Sequence, residues 1–286
     1  MRFKQSLLLP LAVLSLCALP ACSEEGDDPT PSGDAGTDAG TDAGMDAGAD
    51  AGDDNPGPST EPGTCPANAL LCELFDSANP ADGWSPSAEH ATIQVDGTRT
   101  RNGPGALHIV TEDGIDERQQ AGKAIAQWQK RIPSFETRLF VRAHVFMRSL
   151  PGMFGQMGTF FVLSNLDADF GGFELQVMQD RGFALDDWSL REGQGWNRQP
   201  EPVRLGMEAG RWVCLEWEVR RDSASSTHGN TRVYVDGALV HDFTQIGMRA
   251  FNNFSVGYGF VHPLGPSGSE TWIDNVVVST QRVGCD

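Results

Sequence analysis

From Cys65 onward the chain changes polarity at every second residue, a period that builds strands and does not build helices. In "TRLFVRAHVFM", Leu139, Val141, Ala143 and Val145 fall on one face and Phe140, Arg142, His144 and Phe146 on the other. "GFELQVMQ" sets Phe173, Leu175 and Val177 opposite Glu174 and Gln176. "NTRVYVDGALVHDF" is two such runs joined by Asp236-Gly237, a pair that accepts the positive φ of a two-residue hairpin turn. Similar runs recur at "GALHIVT", "AGKAIAQW", "GTFFVLS", "NNFSVGYGFV" and "ETWIDNVVVS", and no stretch of comparable quality has a helical period. About a dozen strands with turn residues between them predict an all-β fold of two antiparallel sheets packed as a sandwich.

The residues before Cys65 follow another logic. Arg2 and Lys4 precede an apolar run, Leu7 to Leu19, that ends in Leu19-Pro20-Ala21-Cys22 and is too short for a lasting membrane span. Residues 1–22 resemble a bacterial lipoprotein signal, which implies a lipid on Cys22 and a place in the cell envelope, at the outer membrane or cell surface. The alternative is an ordinary cleaved secretory signal; both carry the protein out of the cytoplasm. Residues 23–64 repeat Asp-Ala-Gly at a four-residue period and hold 12 acidic residues, no basic ones, and no aromatic or branched aliphatic side chain. Such a segment has nothing to bury, and self-repulsion extends it into a disordered tether. It also lacks the apolar positions that a folded calcium-binding repeat requires.

Residues 65–286 then form one domain with a net charge of −8 and no basic stripe, which argues against nucleic acid as a partner. A monomer that touches the membrane only through its lipid is the expectation. Four cysteines remain in this exported domain, Cys65, Cys72, Cys214 and Cys285, and three pairings are possible. The favoured pairing is Cys65 with Cys72 and Cys214 with Cys285. The first pins the domain entrance, and the second staples the last residues to the strand "CLEWEV".

In that strand Glu216 and Glu218 share a face. They are read either as catalytic carboxylates or as a solvated or ion-paired wall, and the wall is favoured. Same-face neighbours lie roughly 6.5–7 Å apart along a strand, against about 5–5.5 Å between the two carboxyl groups of a retaining glycosidase.

"CELFDS", "RNGPGALHI", "GRWVCLEWEV", "TRVYVDGALV" and "TWIDNVVVS" together resemble the concanavalin A-like jelly-roll superfamily over nearly all of residues 70–280. In style they are similar to its alginate-lyase-like and glucuronan-lyase-like members and to fungal cellulose-induced secreted proteins. Laminarinase-type glycosidases on this fold carry E-x-D-x-E, from which Glu216-Trp217-Glu218 departs. The resemblance also implies one structural calcium ion, held by Glu73, by backbone oxygens around Thr100 and Gly103, and by Asp274. These are the hard oxygen donors that calcium prefers.

Three functional classes follow. The favoured one is a surface-anchored lipoprotein that binds polysaccharide, with Trp188 and Trp196 of the glycine-rich "DDWSLREGQGWN" as a platform on which sugar rings stack. The second is a polysaccharide lyase acting on uronate polymers by β-elimination. Arg142, His144, Gln176 and Tyr234 are its candidate catalytic groups, because a lyase must neutralise a carboxylate and move the C5 proton. The third is an adhesion or envelope-structural domain without a sugar ligand.

Overall fold

The computed structural model describes residues 63–167, 171–187 and 205–285, with the backbone of 195–198. Cys22 and the acidic repeat lie outside the described residues. Among the described residues there is no α-helix, and none of the elements could cross a membrane as a helix.

The expected sandwich is present. One sheet has eight strands, ordered β13 (Ala238–Gly247), β12 (His228–Val235), β11 (Trp212–Arg221), β6 (Arg138–Met147), β15 (Ser269–Ser279), β4 (Ala106–Thr111) and β3 (Ala91–Asp96), with β1 (Ala69–Glu73) paired to β15. The other has seven, ordered β10 (Gly195–Arg198), β9 (Phe183–Asp187), β8 (Gly172–Val177), β7 (Gly158–Ser164), β14 (Asn253–Phe260), β5 (Ala124–Arg131) and β2 (Ser85–Glu89). Every strand pairing is antiparallel.

The core lies between the sheets and consists of the residues that alternation assigns to it: Leu139, Val141, Ala143 and Val145 from β6 face Phe173, Leu175 and Val177 from β8 and Phe254, Val256 and Tyr258 from β14. Trp217 is fully buried among them, edge-on to Phe173 at 4.9 Å, and its indole N–H donates to the buried hydroxyl of Thr231. The sequence reading passes over β2, "SPSAE", because an edge strand with all five residues exposed has no apolar period to read.

Asp236 and Gly237 make the expected hairpin turn, with φ of 49° and 81°. The Asp236 carboxylate ties the turn to β11 by accepting from the backbone N–H of Cys214 at 2.9 Å and from Arg211 at 2.8 Å. Both favoured disulfides are formed, Cys65–Cys72 and Cys214–Cys285.

At Asn275, φ 52°, strand β15 bulges. Before the bulge its outer edge pairs with β4, and after it with β1. The opening between those two strands is filled by the loop after β3, which brings Arg101 and Asn102 onto Asp274.

Candidate functional site

The two outer faces of the sandwich differ. On the eight-stranded sheet, Glu216 is fully buried because the C-terminal tail folds over it. One carboxylate oxygen accepts from the backbone N–H groups of Val283 and Gly284, at 2.9 and 3.0 Å, and the other from Arg282 at 2.9 Å. Glu218 accepts from Arg138 at 2.8 Å and from the Tyr234 hydroxyl at 3.2 Å. The acidic face of "CLEWEV" is thus an ion-paired wall beneath a tail that Cys214–Cys285 clamps, with no opening for a scissile bond. Further along this face Phe146, Trp212 and Trp272 pack on one another, covered by the Arg99 guanidinium and the stacked ring of His108.

On the seven-stranded sheet the outer face is open. A groove of about 300 Å³ crosses it from β2 to β8, lined by Ser87, Gln127, Gln129, Ser255, Asn253 and Glu174 among others. The register explains the row: Glu174 pairs with Val162, Val162 with Ser255, and Ser255 with Gln129. Gly257 and Gly259 of β14 leave the middle of the floor without side chains, and a Cβ on either would strike the backbone of β5.

The polar groups of the floor are only partly satisfied. Glu174, 7% exposed, accepts from the Thr159 hydroxyl at 2.7 Å and from the Gln176 amide at 3.2 Å, and among the described residues no Lys or Arg forms an ion pair with it. Burial raises its pKa, and the nearby Asp186 carboxylate adds to the rise. Gln127 Nε2 and Gln176 Oε1 are buried without a hydrogen-bond partner. Buried amides in that condition are costly unless a ligand or water completes them.

The four residues proposed for elimination chemistry do not converge. Arg142 and His144 (β6) and Tyr234 (β12) stand on the outer face of the eight-stranded sheet, whereas Gln176 stands on that of the seven-stranded sheet. Alternation fixes which residues share a face within one strand, and it is silent on which sheet the strand joins. Trp188 lies outside the described residues. Trp196 belongs to β10, the edge strand paired with β9, rather than to a loop. Trp84, Trp212, Trp217 and Trp272 are buried, as expected of structural tryptophans.

The residues assigned to calcium are partly regrouped. Asp274 is fully buried and accepts from the backbone N–H groups of Arg101, Asn102 and Asn275. Burial still pushes its pKa up to about 7, and the neighbouring Asp76 contributes to the rise. Asp76 Oδ2 is itself buried without a partner, against Gly103, where even a methyl group would collide with it. Glu73 is committed elsewhere, to the Phe75 N–H and the Trp84 indole at 3.1 Å each. Among the described residues no three His, Cys, Asp or Glu side chains form a metal cage. The residues here that could hold a divalent cation are Asp76 and Asp274, and a cation between them would relieve the repulsion between the two acids.

The sequence reading missed Gln127, Asn253 and Ser255. Their signal is present in "NNFSVGYGFV" and "AIAQWQ", where small or amide side chains, rather than charges, alternate with aromatics.

No protein-family model and no curated protein sequence matches the chain. Its structure is similar to that of the cellulose-induced protein Cip1, with a TM-score of 0.57 and 13% identity over 76% of this chain and 100% of that one. It is also similar to the marine PL-14 alginate lyase from Aplysia kurodai, with a TM-score of 0.54 and 14% identity over 75% of this chain and 100% of that one. The chain therefore carries a concanavalin A-like jelly roll, the fold of Cip1 and of alginate lyase.

Proposed function

We propose that the domain binds an extended polysaccharide in the groove of the seven-stranded sheet and that it is held at the bacterial surface by a lipid on Cys22 and the acidic tether. The observation that carries the binding site is Gln127 Nε2, a buried amide nitrogen without a hydrogen-bond partner in the lining of the groove, with Gln176 Oε1 likewise unpartnered beside Glu174 on the same sheet face. Sugar hydroxyls both donate and accept, so they complete such groups in a way an apolar ligand cannot. The cellulose-induced and alginate-lyase neighbours are in keeping with a carbohydrate partner.

Binding is favoured over elimination because a lyase needs a cation for the uronate carboxylate and a proton-moving group at one place. Lys123 lines the groove, but Arg142, His144 and Tyr234 lie on the other sheet. An array of plant, algal and bacterial glycans should retain the full chain without releasing product. Growth of unsaturated-uronate absorbance on uronate polymers would instead establish the lyase, and silence in both assays would leave an adhesion or structural role. The anchor has its own test: Cys22→Ala should move the protein from the membrane to the soluble fraction.

A further inference from the structure

Arg142 and His144 sit in a second hollow, on the outer face of the eight-stranded sheet and so across the sandwich from the groove. It encloses about 250 Å³; Arg101, Asn102 and Asn275 line it with them, and both ends of the domain reach it at Thr64 and Cys285. Arg142 and His144 are each only 6% exposed, yet Arg142 Nε and His144 Nδ1 have no hydrogen-bond partner. Asn275 Oδ1, an acceptor, is buried and unpartnered in the same hollow. A guanidinium out of water with an unused N–H is among the costlier arrangements a fold can hold.

The carboxylates that act on Arg142 are Glu216 and Asp274, and both are occupied. Glu216 holds the tail through Val283, Gly284 and Arg282. Asp274 holds the backbone N–H groups of Arg101, Asn102 and Asn275. Burial and then the charges of Arg142 and Arg101 bring the His144 pKa down to about 3.

We propose that this hollow binds a small carboxylate carrying a neighbouring hydroxyl, the chemistry of a hydroxy acid or a uronic acid. The carboxylate accepts from Arg142, Arg101 and the His144 ring, and the hydroxyl donates to Asn275 Oδ1. Gly63 packs close to that acceptor, and a Cβ there would stand 2.5 Å from it. A neutral sugar leaves the guanidinium uncompensated, and a carboxylate without a hydroxyl leaves the Asn275 oxygen bare.

Calorimetric titration of the full chain with galacturonate, acetate and glucose tests the site. Galacturonate should bind saturably, acetate at least tenfold more weakly, and glucose not at all. Arg101→Gln, at a part-buried position less critical to folding than Arg142, should weaken galacturonate at least tenfold, while Gln127→Ala in the groove leaves it unchanged. No galacturonate binding, equal affinity for acetate, or affinity that survives Arg101→Gln would each overturn the proposal. Loss on Gln127→Ala with retention in Arg101→Gln would place the ligand in the groove and overturn it too, without touching the polysaccharide reading.

Discussion

Glu216 and Glu174 are both buried acids on outward-pointing strand positions, and their surroundings give them opposite uses. Glu216 is closed over by Arg282 and two backbone N–H groups of a tail that a disulfide clamps. Glu174 has a threonine hydroxyl and a glutamine amide for company, and the space above it is open. A buried charge with full partners is part of the scaffold. One left half-satisfied at the floor of a groove is available to a ligand.

The largest effect should come from opening the covered face. Removing the Cys214–Cys285 bond with paired serines frees a loop spanning 71 residues, and the chain-entropy relation puts the loss near 4 kcal/mol by urea unfolding. A loss below about 1 kcal/mol would mean that the tail holds without its clamp and that the two faces are less distinct than argued.

Calcium held by Asp76 and Asp274, next to the bulge, should give a smaller effect. Calcium at one hundred times its dissociation constant should stabilise the protein by about 2.7 kcal/mol, and a chelator should lower Tm accordingly. In Asp274→Ala neither addition should shift Tm. A chelator response that persists in that variant would remove Asp274 from the site.

Glu174 sharpens the comparison from the groove side. Its folded pKa is raised above that of the unfolded chain, so the proton it keeps stabilises the fold at low pH, and this contribution is lost as pH rises through the folded value. Glu174→Gln should remove that decline and leave the protein more stable than the parent at pH 8. Unfolding curves at pH 5 and pH 8 check it, and a variant less stable at pH 8 than the parent would show that the fold favours the charged carboxylate.

The sequence made the sandwich legible because alternation in β6, β8, β14 and β15 needs no tertiary context, and the Asp236-Gly237 turn follows from local chemistry; the favoured one of three cysteine pairings is the one formed. The site was much less legible. Arg142, His144, Gln176 and Tyr234 all read as outward, and outward is a different place on each sheet. Beyond the expected Cys214–Cys285 staple, no local pattern announces that the tail closes on Glu216 itself, since that contact joins positions 66 to 68 residues apart. Of the two acids in "CELFDS", Glu73 is bonded to Trp84 and Asp76 packs on Gly103, a difference that no local pattern carries.

The most direct test of the open groove is a comparison of glycan affinity between the parent chain and Gln127→Ala/Gln176→Ala, with Glu218→Gln on the covered face as control. The groove pair should lose at least tenfold in affinity for whichever polysaccharide the array identifies, about 1.4 kcal/mol, with Tm within a few degrees of the parent. Glu218→Gln should bind as the parent does. Undiminished binding by the groove pair, or loss confined to the covered-face variant, would contradict the account.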